Sequence, residues 1–212
     1  MSLKVDAQTL IDVVSRNSEN WVFANKILYD LCAEYPKHDD KHCIVAKIWL
    51  IGRAYAAAIE RRRNKKDISS DDFYYDVVAP KMLEIGTVLD TKIETLKTIS
   101  NINLENLLDI LQTHNMLMSL FCELTELDKR SLASKYLHFH CPNAFYIYDS
   151  RANTAIKKYI RKDGETPVVD AENYDKEFKE FCVRMLEFQN HIQEQTGEIP
   201  SPRKLDSILL GY

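Results

Sequence analysis

The chain predicts an all-α protein, a compact multi-helix domain over 1–212 that is either undivided or set in two lobes, 1–100 and 101–212. Three observations lead there. Glycine and proline are scarce, five and six in 212 residues. Leu, Ile, Lys and Glu are abundant, as helical proteins favour. Apolar residues recur three and four apart through most of the length. The length is ample for a sizeable core. The formal net charge is −4, which excludes a globally basic protein. No apolar run approaches the roughly 18 residues that span a bilayer. The start, MSLKVDAQTL, lacks the apolar centre of a signal peptide. The expectation is a cytoplasmic protein with no membrane contact. Cys32, Cys43, Cys122, Cys141 and Cys182 are spread out, odd in number and never spaced CxxC. That spacing argues for reduced thiols, against a disulfide framework and against a zinc ribbon.

A first helix follows Asp6, with Leu10, Ile11 and Val14 as its stripe. A second is capped by Ser18 and carries Trp21, Val22, Ile27, Leu28 and Leu31, ending before Pro36. His38, Asp39, Asp40 and His42 read as a loop and helix cap rather than a metal site, since their spacing fits no established ligand set. A long helix over 41–66 follows, with Ile44, Ile48, Ile51, Tyr55 and Ile59 on its ridge and an alanine-rich flank. Arg53 and Glu60 share one face of it, where Arg53 either pairs with a buried acid or points into a cleft. Cations from Arg61 to Lys66 suit its C-terminal dipole. Ser69 or Ser70 caps the next segment, Pro80 kinks or splits it, and 88–99 forms a short amphipathic helix. Asn103 caps a strongly apolar helix expected at the centre of the core, with His114 within it.

The stretch 131–152, SLASKYLHFHCPNAFYIYDSRA, holds the candidate site. Asp128 can cap a helix from Lys129 whose Leu132, Tyr136 and Phe139 face the core. Pro142 stops it. Phe145-Tyr146-Ile147-Tyr148 reads as a buried extended connection or one short strand. Asp149 then stands at the N-cap of a second helix, either as an ordinary cap or as a carboxylate at the mouth of a cleft. It is the only acid between Lys129 and Lys162, in a region rich in cations. Lys129, Arg130, Lys135, Arg151, Lys157 and Lys158 beside aromatics form the pattern of a phosphate-binding surface, or else a solvated face. The loop 163–167 follows. Asp170 caps a long helix that Gly197 ends, and Pro202 opens a final helix on which Arg203 and Asp206 help lock it to the body.

Other chemistries find no footing. There is no GxxxxGK[ST], GxGxxG or GxSxG. His138, His140 and Cys141 are adjacent, but helical residues two apart diverge, so no metal is expected there. No cofactor is expected either.

The 131–152 stretch resembles a segment of the helix-hairpin-helix DNA glycosylase superfamily. In that family a hairpin helix leads through a short apolar run to a catalytic Asp at the next helix. Aligned on Asp149, Ala133 and Leu137 fall on apolar positions of the hairpin helix. Ile147-Tyr148-Asp149 stands where the family has apolar-Val-Asp. Pro202-Arg203-Lys204-Leu205-Asp206 is similar to the ending of some uncharacterised bacterial proteins with this type of core. The likeness implies a double-stranded DNA partner and a monofunctional N-glycosylase-like hydrolase. Asp149 would stabilise the developing sugar cation or orient a water. Lys129, Arg130, Lys135, Arg151, Lys157 and Lys158 would hold phosphates, with Tyr136, His138, Tyr146, Tyr148, Arg53 and Glu60 around the pocket. The chain departs from the family in three ways. Leu127, Asp128 and Lys129 stand where a Gly-apolar-Gly turn belongs, Ser131 replaces the lyase lysine, and the iron–sulfur cysteines are missing. The missing glycine turn favours the alternative of a helical interaction protein without chemistry, and the local basic bias favours DNA binding.

Overall fold

A computed structural model describes residues 2–3, 12, 21–62, 69–161 and 173–211. The helix after Asp6, the Ser18 cap, 63–66, the loop 163–167 and the Asp170 cap lie outside these residues. Eight helices dominate the described chain. They are α1 (Val22–Glu34), α2 (Lys41–Ala54), α3 (Ala79–Lys97), α4 (Leu107–Thr125), α5 (Arg130–His140), α6 (Ser150–Tyr159), α7 (Lys176–Thr196) and α8 (Pro202–Leu210). The fold is all-α. The only pairing among the described residues joins β1 (Ser2–Leu3) to β2 (Ile160–Arg161), antiparallel, with Leu3 opposite Ile160. No described helix is long and apolar enough to cross a membrane. All five cysteines are unpaired.

Local chemistry sets several helix ends. Asp40 accepts from the Cys43 amide at 2.7 Å and starts α2. Asp175 caps α7 through Phe178, and Ser201 caps α8 through Lys204. Gly197 ends α7 at φ 77, as the sequence predicts. Asn103 accepts from the amides of Glu105 and Asn106, so it caps a turn ahead of α4 rather than α4 itself.

Three expectations are corrected. The helix from Lys41 stops at Ala54 instead of running to 66. Ala56 takes a left-handed φ of 52 and the Ala57 amide donates to the Gly52 carbonyl at 2.7 Å. A Cβ on Gly52 would lie 3.0 Å from the Ala58 Cα, so the small residues let the chain fold back on the helix end. Pro80 does not split its helix. A π-helical turn over Phe73–Val78 runs into α3, and Ala79 donates five residues back to Tyr74. The wider turn accommodates a residue that has no amide hydrogen and whose ring crowds the previous turn. The separate helix over 88–99 is therefore part of α3. Finally, Asp128 is exposed and does not cap α5, whose N-cap position is Lys129 with no side-chain cap.

The centre of the body is α5 rather than α4. Every residue from 132 to 140 is buried, and α5 packs on α1, α2, α3 and α4. The segment 144–148 runs beside it, buried throughout and in neither helix nor strand, its first residue still in a turn. α5 side chains bond the backbone of two of its residues. Ser134 Oγ accepts from the Tyr148 amide at 3.1 Å, and His138 Nδ1 donates to the Phe145 carbonyl at 2.8 Å. One apolar cluster extends from Leu28 to Leu209.

The loop ahead of α2 is tied from within. Lys47 donates to the carbonyls of Tyr35 and Lys37. His38 Nδ1 donates to Asp90 at 2.5 Å, and its Nε2 accepts from the Tyr136 hydroxyl at 2.6 Å. Gly86 of α3 permits the close approach, since a Cβ there would sit 2.5 Å from the His38 carbonyl oxygen. Replacing Gly86 by Ala must push backbone aside, and a loss of about 1–3 kcal/mol in urea denaturation is expected.

Burial lowers the histidines. His38 and His114 fall to about 4, His138 to about 3, and His140 well below its usual value. An unfolded histidine titrates near 6.5, so between that pH and 4 the unfolded chain binds more protons. Stability should therefore fall as pH drops through this window. Denaturation at pH 5 should show at least about 2 kcal/mol less stability than at pH 7.5.

Candidate functional site

A cavity of about 340 Å³ opens where α1, the turn after α2, the 144–148 segment and α8 meet. Trp21, Leu28, Tyr55 and Ile147 supply apolar and aromatic wall, while Asp149, Arg203 and Asp206 supply charge.

Asp149 is placed by two neighbours. Its carboxylate caps α6, accepting from the Ala152 amide at 2.8 Å, and pairs with Lys135 Nζ at 3.3 Å. Lys135 is only 2 % exposed and donates as well to Ser131 Oγ at 2.8 Å. Burial lowers the Lys135 ammonium, and Asp149 opposes that shift. Both readings of Asp149 thus hold at once: it is a helix cap and it lines a cleft.

Arg203 and Asp206 come from one face of α8. Arg203 lies among the rings of Tyr29, Tyr55 and Phe139, 5.6–5.9 Å from each centre. Its Nε donates to the Tyr29 hydroxyl at 3.2 Å, and Tyr29 donates to His138 Nε2 at 2.6 Å. The direction is fixed at both ends, because an arginine can only donate and the Phe145 carbonyl can only accept from His138 Nδ1. Arg203 Nη1 meets Asp206 Oδ2 at 3.4 Å. Burial raises the Asp206 carboxyl to about 6, against the pull of Arg203. Asp149 adds to the rise, and Lys135 and Arg151 oppose it.

The structure divides the expected phosphate contacts. Arg130 is 14 % exposed and bonds Asp175 twice, at 2.6 and 2.8 Å, with Glu177 at 3.1 Å. Lys129 Nζ donates to the Arg61 carbonyl at 2.6 Å. With Lys135 buried, Arg130 and Lys135 make internal bonds, while Lys129 is tied to a backbone carbonyl at the surface, so the three do not form one open surface. Arg151, Lys157 and Lys158 remain exposed on α6, and Arg151 reaches the cavity wall. The reasons differ: distant acids, Asp175 and Glu177, neutralise Arg130, Asp149 holds Lys135, and a backbone carbonyl takes Lys129.

The expected pocket residues also move. Tyr136 and Tyr146 are fully buried, their hydroxyls on His38 and Gln189. Tyr148 donates to Glu177 at 2.5 Å. None of the three lines the cavity. His138 stands two hydrogen bonds behind its wall, through Tyr29 to Arg203. Arg53 pairs with Glu60, which accepts from Tyr74 at 2.5 Å, so the pairing lies away from the cavity. Tyr55, Arg203 and Asp206 are the site residues that sequence reasoning missed. The signal available was an arginine and an aspartate three apart on an apolar helix, read there as a structural lock.

No known protein family, curated protein or solved structure matches the chain.

If Arg130 serves as an internal clamp, Arg130→Met should cost about 2–4 kcal/mol in urea denaturation, because it strands the half-buried Asp175. A surface phosphate contact would change stability by less than about 0.5 kcal/mol.

Proposed function

We propose that this chain is a cytoplasmic DNA-binding protein of glycosylase type. It would hydrolyse the N-glycosidic bond of an extruded nucleotide with Asp149 as the carboxylate facing the sugar. One observation carries the reading. Asp149 sits at a helix N-terminus, anchored by Lys135, and opens on a cavity with aromatic and apolar walls. A flipped base needs such walls, and the cavity's size suits a small ligand. As the base leaves, positive charge grows on the sugar, and a fixed carboxylate stabilises it more than the neutral ground state. Arg151, Lys157 and Lys158 on the outer side of α6 supply phosphate contacts beside this opening.

A second reading, a helical interaction protein without chemistry, is favoured by the 127–129 turn. It has no glycine, and Lys129 is bonded inward to Arg61. That turn offers no close seat for a phosphate.

Duplex binding measured by fluorescence anisotropy separates the two. Three phosphate contacts predict roughly a 40-fold loss of affinity between 50 and 200 mM salt. Replacing Arg151, Lys157 and Lys158 together by Gln should flatten that dependence. Asp149→Asn retains a capping side chain, so it should bind duplex normally while losing base release. A wild-type protein that binds no duplex at 50 mM salt would defeat the proposal.

A further inference from the structure

The start of α1 is apolar and open. Trp21, Val22, Phe23 and Ile27 are 71, 59, 76 and 50 % exposed. Apolar side chains scattered singly over a surface are ordinary, but these four stand within two turns of one helix end. Taking about 150–250 Å² for each full residue, those fractions leave roughly 500 Å² in contact with water. Helical spacing sorts the outer face further. Phe23, Ile27, Asp30 and Glu34 are spaced four, three and four apart, so they form one stripe, and all four are exposed. Leu28 and Cys32, on the other side, are buried. The stripe is apolar in its first half and acidic in its second. The helix end beside the apolar half is bare as well. Trp21 stands at the N-cap position, no side chain among the described residues caps the helix, and the first turn carries no acid. Its free amides leave the positive end of the helix dipole uncompensated. Asp30 pairs with Lys26 on the same helix, but both side chains are more than half exposed, and such pairs contribute little.

We propose that this stripe is the interface of a homodimer, with α1 packed antiparallel on α1 of a second copy about a two-fold axis level with Asn25. A two-fold interface must be self-complementary, and the stripe has that property. With the axis at Asn25, Phe23 of each copy lies level with Ile27 of the other. Asp30 stands five residues from the axis, about 7.5 Å along the helix, which brings it level with the bare N-terminus of the opposite α1. The acidic half of each stripe thus meets the positive end of the other helix. A parallel pair would set Asp30 beside Asp30 and leave both N-termini uncompensated. Burying roughly 500 Å² on each copy gives about 1,000 Å² in all, the lower bound of a specific interface, so the dimer is weak and reversible. Trp21 belongs both to the patch and to the cavity wall, so the second copy stands at the rim of the cavity. The pairing holds whether or not that cavity receives a base.

Sedimentation velocity of the full chain, from about 5 to about 500 µM, tests the proposal in the concentration range where so small an interface associates. The weight-average mass should climb from one chain towards two. Phe23→Asp and Ile27→Asp should each weaken association at least about tenfold, because each sets a charge in the apolar centre. Phe23 is mostly exposed in the single copy, so Phe23→Asp should leave the melting temperature of a dilute sample unchanged. Asp30→Asn should weaken association about three- to fivefold, since the two-fold removes the same contact twice. Val88→Asp, at an exposed apolar residue of α3, should leave the mass curve as in wild type. A chain that stays monomeric at the highest concentration overturns the dimer. If Phe23→Asp then also lowers the melting temperature, the patch is covered by the chain's own residues before Trp21. A dimer that survives both Phe23→Asp and Ile27→Asp forms through another face and overturns the proposal equally. A dimer indifferent to Asp30→Asn overturns the antiparallel order. Duplex binding is scored separately, so none of these results decides whether the chain acts on DNA.

Discussion

A buried segment that belongs to neither helix nor sheet is the constraint on which this structure depends. The 144–148 segment passes through the core, and each of its peptide groups needs a hydrogen-bond partner where no water reaches. For two of its residues the partners come from α5. Ser134 serves Tyr148 and His138 serves Phe145, four residues apart on one helix face. These two bonds set the register of the segment against the helix. They also decide where it emerges, and it emerges at Asp149. Lys135, next to Ser134 on α5, reaches the Asp149 carboxylate at that exit. The carboxylate is thus placed by the same helix that satisfies the segment leading to it.

His138 extends this logic to the far wall of the cavity. Having given its proton to Phe145, it can only accept at Nε2. Tyr29 therefore donates to it and receives from Arg203. Burial keeps the imidazole neutral, with its titration lowered to about 3, so the direction of the chain does not reverse near neutral pH. A core histidine one layer behind the wall in this way orients a cation in the cavity. Asp206 takes only one bond from that cation, and its burial raises it to about 6. The two aspartates on the cavity consequently have unlike surroundings, one at a helix end beside a lysine and the other largely dry, an arrangement that separates the roles of paired carboxylates.

The basic concentration between 129 and 162 shows how sequence proximity differs from a charged surface. Arg130 is neutralised by Asp175 and Glu177, and the first of these also caps α7. The arginine thereby joins the start of α5 to the start of α7. Lys135 turns inward. The outer face of α6 keeps Arg151, Lys157 and Lys158 in contact with solvent, and that face adjoins the cavity. The molecule is mildly acidic overall, and much of its local positive charge is structural.

The sequence by itself determined whatever depends on neighbours within a turn or two. The helical class follows from composition and period. Asp40, Asp149 and Ser201 were legible as caps or starts because each bonds an amide three residues on, and Gly197 was legible as an end because of its backbone freedom. The burial of 145–148 was legible from its aromatic and apolar run. Tertiary structure alone decided that the alanine-rich stretch turns back at Ala56, since packing against Gly52 overrides helix propensity there. It alone decided that Arg130 and Lys135 face inward and that Arg203 and Asp206 share a cavity with Asp149. The partner of Arg130 lies 45 residues away and the hydroxyl that orients Arg203 lies 174 away. No local pattern carries such pairings, because a side chain's burial is set by which helix packs over it.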